Sequence, residues 1–273
     1  MPHLLEGKVA LVLGVANRWS IAHAIAKAFI REGADVILTY QGDRQKQTVE
    51  ELAAELKARE VLPCDVTQDA QLDALASMLA NDLKGQGRVL DSVVHSVAFA
   101  NREDLSRPFL ETSRAGFALA QDVSAYSLVA VARAVAPLMA PADPAAGKPG
   151  GGSIMTLTYL GSTRVVENYN VMGVAKASLE ASVRYLAANL GPSNIRVNAI
   201  SAGAVKTTSA RGIRDFSKML DGGAKLAPLR RNTDPAEVAD TAVFLASDLG
   251  RGVTGNIIYV DAGMQIVGFA LTD

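Results

Sequence analysis

Two side chains suited to one reaction stand seven residues apart in the stretch Tyr169-Asn-Val-Met-Gly-Val-Ala-Lys176. On a helix starting near Asn168 that spacing is almost two full turns, so both side chains share one face with Gly173 between them. A lysine ammonium held beside a phenol favours the phenolate and lowers the cost of polarising or protonating an oxygen. An isolated tyrosine, titrating near ~10, is a poor acid or base. The same lysine has donors for sugar hydroxyls. Tyrosine and lysine at this spacing arise by chance on many helices, so the weight of the pair depends on where its helix sits. A second phenol, Tyr159, ends an apolar run in Thr158-Tyr159-Leu160-Gly161-Ser162. If that run is a strand and the helix follows it, the two phenols converge on one crevice.

The elements that must position these groups read as repeated strand and helix. Runs 8–13, 35–40, 60–63, 89–96, 153–158, 195–200 and 256–260 have strand character. Between them, 21–31, 45–58, 70–83, 115–139, 169–190 and 235–246 are Ala-rich and amphipathic. Strands this apolar call for cover on both faces. The expectation is an α/β fold, one doubly wound Rossmann-type domain over 1–273 with a parallel sheet of about seven strands, helices on both faces and right-handed crossovers. Two segments break the rhythm. Pro141 to Gly152, rich in Pro, Gly and Ala, reads as a flexible surface loop. Ser201 to Arg231 follows a strand end where open α/β sheets bind ligands, and is expected to be a substrate-covering lid.

The first strand leads into Gly14-Val-Ala-Asn-Arg-Trp-Ser20-Ile21-Ala22, a turn into a helix whose free N–H groups and positive end suit a pyrophosphate. It departs from the common GxGxxG pattern: Gly14 supplies the tight turn, Ser20 and Ala22 are small, and Ser20 can cap the helix or donate its hydroxyl to a phosphate. Strand two ends in Thr39-Tyr40-Gln41-Gly42-Asp43-Arg44, with Gln41 where NAD enzymes of this type place an acid on the ribose. That favours NADH. Arg44 and Lys46 stand close enough to pair with a 2′-phosphate, so NADPH stays the alternative. Asp65, after strand three, either faces the adenine amino group or caps the next helix. Strand four ends in His95-Ser96-Val97-Ala98-Phe99, beside the ribose and nicotinamide, and His95 reads as a hydrogen-bonded core residue.

Bulk composition excludes several classes. Lys and Arg number 27 against 28 Asp and Glu, which leaves no field to gather nucleic acid or an anionic membrane. The one cysteine, Cys64, cannot close a disulfide, and His3, His23 and His95 are too scattered for a metal cluster. No signal-peptide pattern opens the chain and no uninterrupted apolar run of ~20 residues follows. These features lead to the expectation of a cytoplasmic protein with no metal, no nucleic-acid partner and no membrane association.

Taken together, the segments GVANRWSIAHAIAKAF (14–29), HSVAFA (95–100), LTYLGSTRVVENYNVMGVAKASLEASVRYLA (157–187), IRVNAISAGAVKT (195–207) and DFSKML (215–220) resemble the short-chain dehydrogenase/reductase superfamily. Within it they resemble the divergent branch of enoyl-[acyl-carrier-protein] reductases. Most of the superfamily carries a Tyr-x3-Lys pair; here position 173 is Gly and the enoyl-reductase spacing Tyr-x6-Lys is present. The resemblance implies an oxidoreductase of type II fatty acid biosynthesis and lipid metabolism, adding the hydride of NADH to C3 of a trans-2-enoyl thioester on acyl carrier protein. It implies that Tyr169 holds the enolate oxygen, that Lys176 binds the nicotinamide ribose, and that Tyr159 shapes the acyl site or relays a proton. It also implies cofactor contacts at Gly14, Ser20, Ile21, Gln41, Asp65, Val66, Val97, Lys176 and Val205, Lys206, Thr207, Thr208 and Ser209, with Ala100 bordering the substrate. The assembly it implies is a homotetramer, and Lys206, Arg211 and Arg214 form the expected basic docking patch for acyl carrier protein.

Three departures from the family pattern stand out. Ala98 replaces a usual Gly and narrows the space beside the nicotinamide. Ala204-Val205-Lys206 replaces Pro-Ile-Arg, loosening the loop and exchanging a forked cation for a point charge. The 141–152 loop is long. Two other readings stay open at this level, a carbonyl reductase of the 3-ketoacyl type and a non-catalytic dinucleotide sensor.

Overall fold

The structure is a computed structural model that describes residues 3–139, 150–206 and 216–268. Its seven strands are β1 (Val9–Leu13), β2 (Asp35–Tyr40), β3 (Glu60–Pro63), β4 (Ser92–His95), β5 (Gly152–Thr158), β6 (Ile195–Ala202) and β7 (Ile257–Val260). They form one parallel sheet in the order β3-β2-β1-β4-β5-β6-β7. The order reverses between β1 and β4, which pair from Ala10 opposite Ser92 to Leu13 opposite His95. There the connections leave in opposite directions and a crevice opens at the carboxyl ends of the strands.

In chain order the α-helices are α1 (Ile21–Arg31), α2 (Asp43–Leu56), α3 (Asp69–Gly85), α4 (Arg102–Ser106), α5 (Arg114–Gln121), α6 (Ser127–Val135), α7 (Asn170–Leu190), α8 (Phe216–Leu226) and α9 (Pro235–Ala246). Period-two alternation along the strands divides the core. Val9, Leu11 and Leu13 pack with Leu75 and Leu79 of α3, Leu128 and Val131 of α6, and Leu179 and Val183 of α7. Ala10 and Val12 face the other way, toward Ile25 and Phe29 of α1, Val49 of α2 and Val238 and Val243 of α9. Each fully buried Leu or Phe side chain contributes about 1.5–3 kcal/mol of transfer free energy, so the sheet is held from both faces. The helices begin where the sequence supplies caps. The Ser20 hydroxyl accepts from His23 N–H at α1, and Asp234 and Glu237 form a reciprocal capping box at α9, with Pro235 in its first turn.

The structure differs from the sequence expectation in four places. The helix expected over 115–139 is divided: α5 widens into a π-helical turn, Asp122–Tyr126, before α6, and the run ends in a 3₁₀ turn at Ala136–Leu138. This run, Arg114–Leu138, is long and apolar enough for a membrane span, although no uninterrupted apolar stretch reveals it; more than half of its most apolar portion is buried inside the fold. Gly152, expected in a flexible loop, opens β5 opposite Ile195; residues 140–149 lie outside the described residues. Finally, the segment expected as a lid contains α8, and the short α4 was not anticipated at all.

Candidate active site

A cleft of about 590 Å³ occupies the switch point, lined from the ends of β1 to β5, α1 and α7 by Gly14, Ser20, Ile21, Gln41, Val66, Val97, Tyr159, Tyr169 and Lys176, with Ala98, Phe99 and Cys64. At its nucleotide end Gly14 adopts φ +92, and a Cβ there would sit on the Ser96 carbonyl oxygen. Only glycine permits this close approach of the β1 turn to the β4 turn, and the turn delivers the α1 N-terminus to the cleft. Ser20 caps that helix as expected. Its hydroxyl also donates to the Asn17 carbonyl at 2.7 Å, and the backbone N–H groups and positive helix end behind it are suited to an anion.

Gln41 donates through Nε2 to Asp65 Oδ2 at 3.2 Å, while Asp65 Oδ1 accepts from the Thr67 N–H and hydroxyl. Partial burial pushes the Asp65 pKa up, but the bonds from Thr67 and Gln41 outweigh it and leave it below the ordinary value. Asp65 therefore builds a turn ahead of α3 and orients Gln41; the helix N-cap itself is Gln68. This amide and carboxylate pair is suited to neutral hydroxyls, and Lys46 stands nearby with its Nζ 6.0 Å from the centroid of the Tyr40 ring. Cys64, in the cleft wall, is buried, and burial pushes its thiol pKa up to about 11, which keeps it an inert apolar liner.

At the reacting end Tyr169 occupies the N-cap of α7, one residue later than the helix start read from sequence. Its ring meets that of Tyr159 edge to face, centroids 5.0 Å apart at 67°, an arrangement contributing about 0.5–1.5 kcal/mol beyond area burial. Burial raises the phenol pKa of Tyr169 well above the ordinary tyrosine value, with Tyr159 and Glu180 adding to the rise. Burial and the nearby Asp261 raise Tyr159 as well. The expectation that Lys176 would draw Tyr169 toward the phenolate is thus corrected. Lys176 lies deeper, its Nζ donating to the Leu157 carbonyl at 2.8 Å, and the raised pKa favours the protonated phenol at Tyr169. Burial pushes the Lys176 pKa down to about 8, opposed by Glu180, whose carboxylate accepts from Thr158 Oγ1 at 2.7 Å.

The structure brings Gly14, Ser20, Ile21, Gln41, Val66, Val97, Tyr159, Tyr169 and Lys176 around one cleft, with Asp65 bonded to Gln41 beside it. Ala100 is outside the cleft lining and packs, with Tyr169, against a separate apolar cluster of Leu105, Ala120, Val171, Met172 and Ala175. Val205 is buried and Lys206 exposed, neither on the cleft wall, while Thr207, Thr208 and Ser209, like Arg211 and Arg214, lie outside the described residues. His95 is the core residue its sequence context suggested: fully buried, bonded to Thr156 Oγ1 at 2.9 Å and Ser127 Oγ at 2.8 Å. Desolvation, followed by the charge of Lys176, lowers its pKa to about 3, so it is neutral.

Residues 14–265 match the family model described as enoyl-(acyl carrier protein) reductase. The chain belongs to the enoyl-(acyl carrier protein) reductase family. It is 53% identical over 97% of its length, and 99% of the relative, to the enoyl-[acyl-carrier-protein] reductase [NADH] FabI of Bacillus cereus. To the Staphylococcus aureus enzyme of that name marked [NADPH] it is 46% identical over 96% of this chain and 98% of the relative. The crystal structure of the Anaplasma phagocytophilum enoyl-(acyl-carrier-protein) reductase in complex with NAD superposes with a TM-score of 0.90 at 42% identity, covering 100% of this chain and 97% of that one. In this reductase fold, sequence reasoning missed Glu180 and Ser124. Glu180 stands one turn beyond Lys176, an i, i+4 acid whose apolar neighbours mark it as buried. Ser124 sits in the π-helical turn, and its hydroxyl accepts from the Phe99 N–H at 2.9 Å and donates to the Phe99 carbonyl at 3.0 Å, clamping the loop beside Ala98. No spacing rule exposes a π turn, although such turns gather at functional sites.

Proposed function

We propose that this chain reduces the trans-2 double bond of enoyl thioesters carried by acyl carrier protein, with NADH as reductant, in type II fatty acid biosynthesis. The observation that carries this reading is the Tyr169 phenol on the cleft wall with Lys176, at the Tyr-x6-Lys spacing, in a chain of the enoyl reductase family; burial favours its protonated form. NADH, when bound, would supply the hydride that C3 of the enoyl group takes up, with the electron pair of the double bond moving to the thioester oxygen as an enolate. Tyr169 donates its phenol hydrogen bond to that oxygen as charge develops; donors of this kind lower barriers by about 2.7–4 kcal/mol. Protonation at C2 by water then completes the saturated thioester. Lys176 binds the nicotinamide ribose and keeps the local field positive, and Tyr159 packs Tyr169 in place and shapes the acyl site. Gly14, Ser20, Ile21, Gln41, Asp65, Val66 and Val97 hold the remainder of the cofactor, together with the 205–209 stretch. The Gln41 and Asp65 pair favours NADH over NADPH.

In the same reading, 1–273 is one oxidoreductase domain. The segment 201–231, which leaves the carboxyl end of β6 and contains α8, covers the acyl group, and Ala100 borders it. Acyl carrier protein docks at a basic patch that includes Lys206, the enzyme works in the cytoplasm, and four chains assemble. The test is a steady-state assay of NADH oxidation with a crotonyl thioester. Turnover is expected, with Tyr169→Phe lowering kcat roughly 10²–10³-fold and leaving NADH binding unchanged. No oxidation by folded, NADH-binding wild-type protein, or a Tyr169→Phe variant of unaltered kcat, overturns the reading.

A further inference from the structure

Tyr169 is flanked by two residues in the left-handed region, Asn168 at φ +61 and Asn170 at φ +40, while Tyr169 itself is right-handed at φ −94, ψ −28. Left-handed backbone in a non-glycine residue carries strain of order 1–3 kcal/mol and persists only where neighbouring contacts over-determine it. For Asn170 those contacts are explicit. Its side-chain Nδ2 donates toward three backbone carbonyls of the segment after β4: Arg107 at 2.8 Å, Leu105 at 3.2 Å and Asp104 at 3.4 Å. These are carbonyls at the carboxyl end of α4, where helix carbonyls lack partners within the helix. A single amide at the first position of α7 therefore closes the end of α4 and fixes the strained turn that aims Tyr169.

The two elements so joined are the two walls of the reacting end. The segment from Ala98 through α4 borders the cleft at Ala98 and Phe99 and carries Ala100, and α7 carries Tyr169 and Lys176. Leu105 of α4 packs against Val171, Met172 and Ala175 of α7, with Ala100 and Tyr169 resting on the same cluster. Asp104, also buried, accepts from Asn101 Nδ2 at 3.2 Å and from the Ser113 N–H at 3.3 Å, so the base of the loop is held from its own side as well. The only side-chain hydrogen bonds that the described residues show between α7 and this loop are those of Asn170.

We propose that Asn170 is a positioning residue for enoyl reduction, holding the 98–107 wall and the Tyr169 phenol in register so that the thioester oxygen meets the phenol. It touches neither cofactor nor reacting atoms and acts through Tyr169 and the loop. This inference rests on the function proposed above, and its test separates the two. In Asn170→Gly the left-handed backbone is retained without steric strain while the side-chain amide is lost. In Asn170→Asp the backbone preference and size are retained, but a carboxylate replaces the donor and is repelled by three carbonyl oxygens. For Asn170→Gly, kcat with a crotonyl thioester is expected to fall roughly ten- to hundredfold, as misplacement near 1 Å does, and the thioester KM to rise, while KM and Kd for NADH stay within about twofold. Backbone hydrogen exchange over 101–107 should quicken, with protection over β1, α1 and β4 unaltered. Asn170→Asp, if folded, should be impaired at least as much as Asn170→Gly.

Unchanged kcat and thioester KM in Asn170→Gly would overturn the proposal. So would unchanged exchange over 101–107, or a loss of NADH binding in parallel with activity, which marks a general loss of structure. Should the wild-type chain bind NADH but fail to reduce the thioester, the reductase reading falls by that result. The exchange measurement then still decides whether Asn170 anchors the loop.

Discussion

Among single residues, Lys176 has the sharpest consequence. Its burial beside β5 places its pKa near 8, below the ordinary 10.5, so over the mildly alkaline range the free enzyme loses the positive charge proposed to hold the nicotinamide ribose. The kcat/KM for NADH should therefore fall on the alkaline side with an apparent pKa near 8. The sign for stability is opposite. Between about 8 and 10.5 the unfolded chain binds more protons at this lysine than the folded one, so this group's contribution to stability rises with pH across that window and is flat below it. A pH profile of kcat/KM measured beside thermal melts separates the two: activity should drop while this lysine does nothing to lower the melting temperature. A profile flat through roughly pH 9 would contradict the assignment. Tyr169 does not share this titration, because burial keeps its phenol protonated throughout. The residue types were legible from sequence, but their ionisation was not: spacing along a helix says which side chains share a face, while depth below the surface sets the charge.

At the level of elements, the contact between α7 and the 3₁₀ turn Leu160–Ser162 explains why the lysine stands seven residues from the tyrosine. A Cβ at Gly173 would lie 2.7 Å from the Gly161 carbonyl oxygen, and a Cβ at Gly161 would strike the Tyr169 ring. The two glycines let helix and turn approach until the phenol lies on the turn. No side chain, lysine included, fits position 173 without moving backbone. Gly173→Ala should cost about 1–3 kcal/mol as overpacking, read by denaturant unfolding, and lower kcat more than it raises KM for NADH. A variant with wild-type stability and kcat would show that the contact is not what sets the phenol. Element boundaries illustrate the same division between local and distant causes. The expected spans of α1, β2, β3 and α9 coincide with the observed ones because caps, Pro and Gly near their ends are local signals. The π-helical turn at Asp122–Tyr126 gives no such signal. Its widening aligns Ser124 with the Phe99 backbone and Ser127 with His95, partners that are distant in sequence.

For the whole molecule, the outward surface of α7 bears on assembly. Val174 and Tyr185, 37% and 81% exposed, are separated by 11 residues, about three turns, and so share a face. Between them lie the small residues Ala177, Ser178 and Ala181, which permit close approach of another helix. The edge strand β7 is also only half-covered along Ile257–Val260. Together these are surfaces on which copies of the chain can pack, as the proposed assembly of four chains requires. Sedimentation or light scattering should give the mass of four chains, and Tyr185→Glu should shift the distribution to smaller species while the isolated chain keeps its secondary structure. A wild-type protein that stays monomeric at micromolar concentration would remove this proposal.

The sequence by itself determined the alternation that builds a parallel doubly wound sheet, the Gly14 turn that points α1 at a cleft, and the face shared by Tyr169 and Lys176. Each follows from a short-range rule: a two-residue period, a conformation open only to glycine, a helical repeat. What only the tertiary structure decided concerns contacts between residues far apart in the chain. These include a protonated Tyr169 in place of a phenolate, a Ser20 hydroxyl committed to Asn17, an Asp65 that orients Gln41, and an Asn170 amide that ties α7 to α4. Burial and hydrogen-bond partnership depend on which distant atoms arrive at the same place, and no local pattern contains that information.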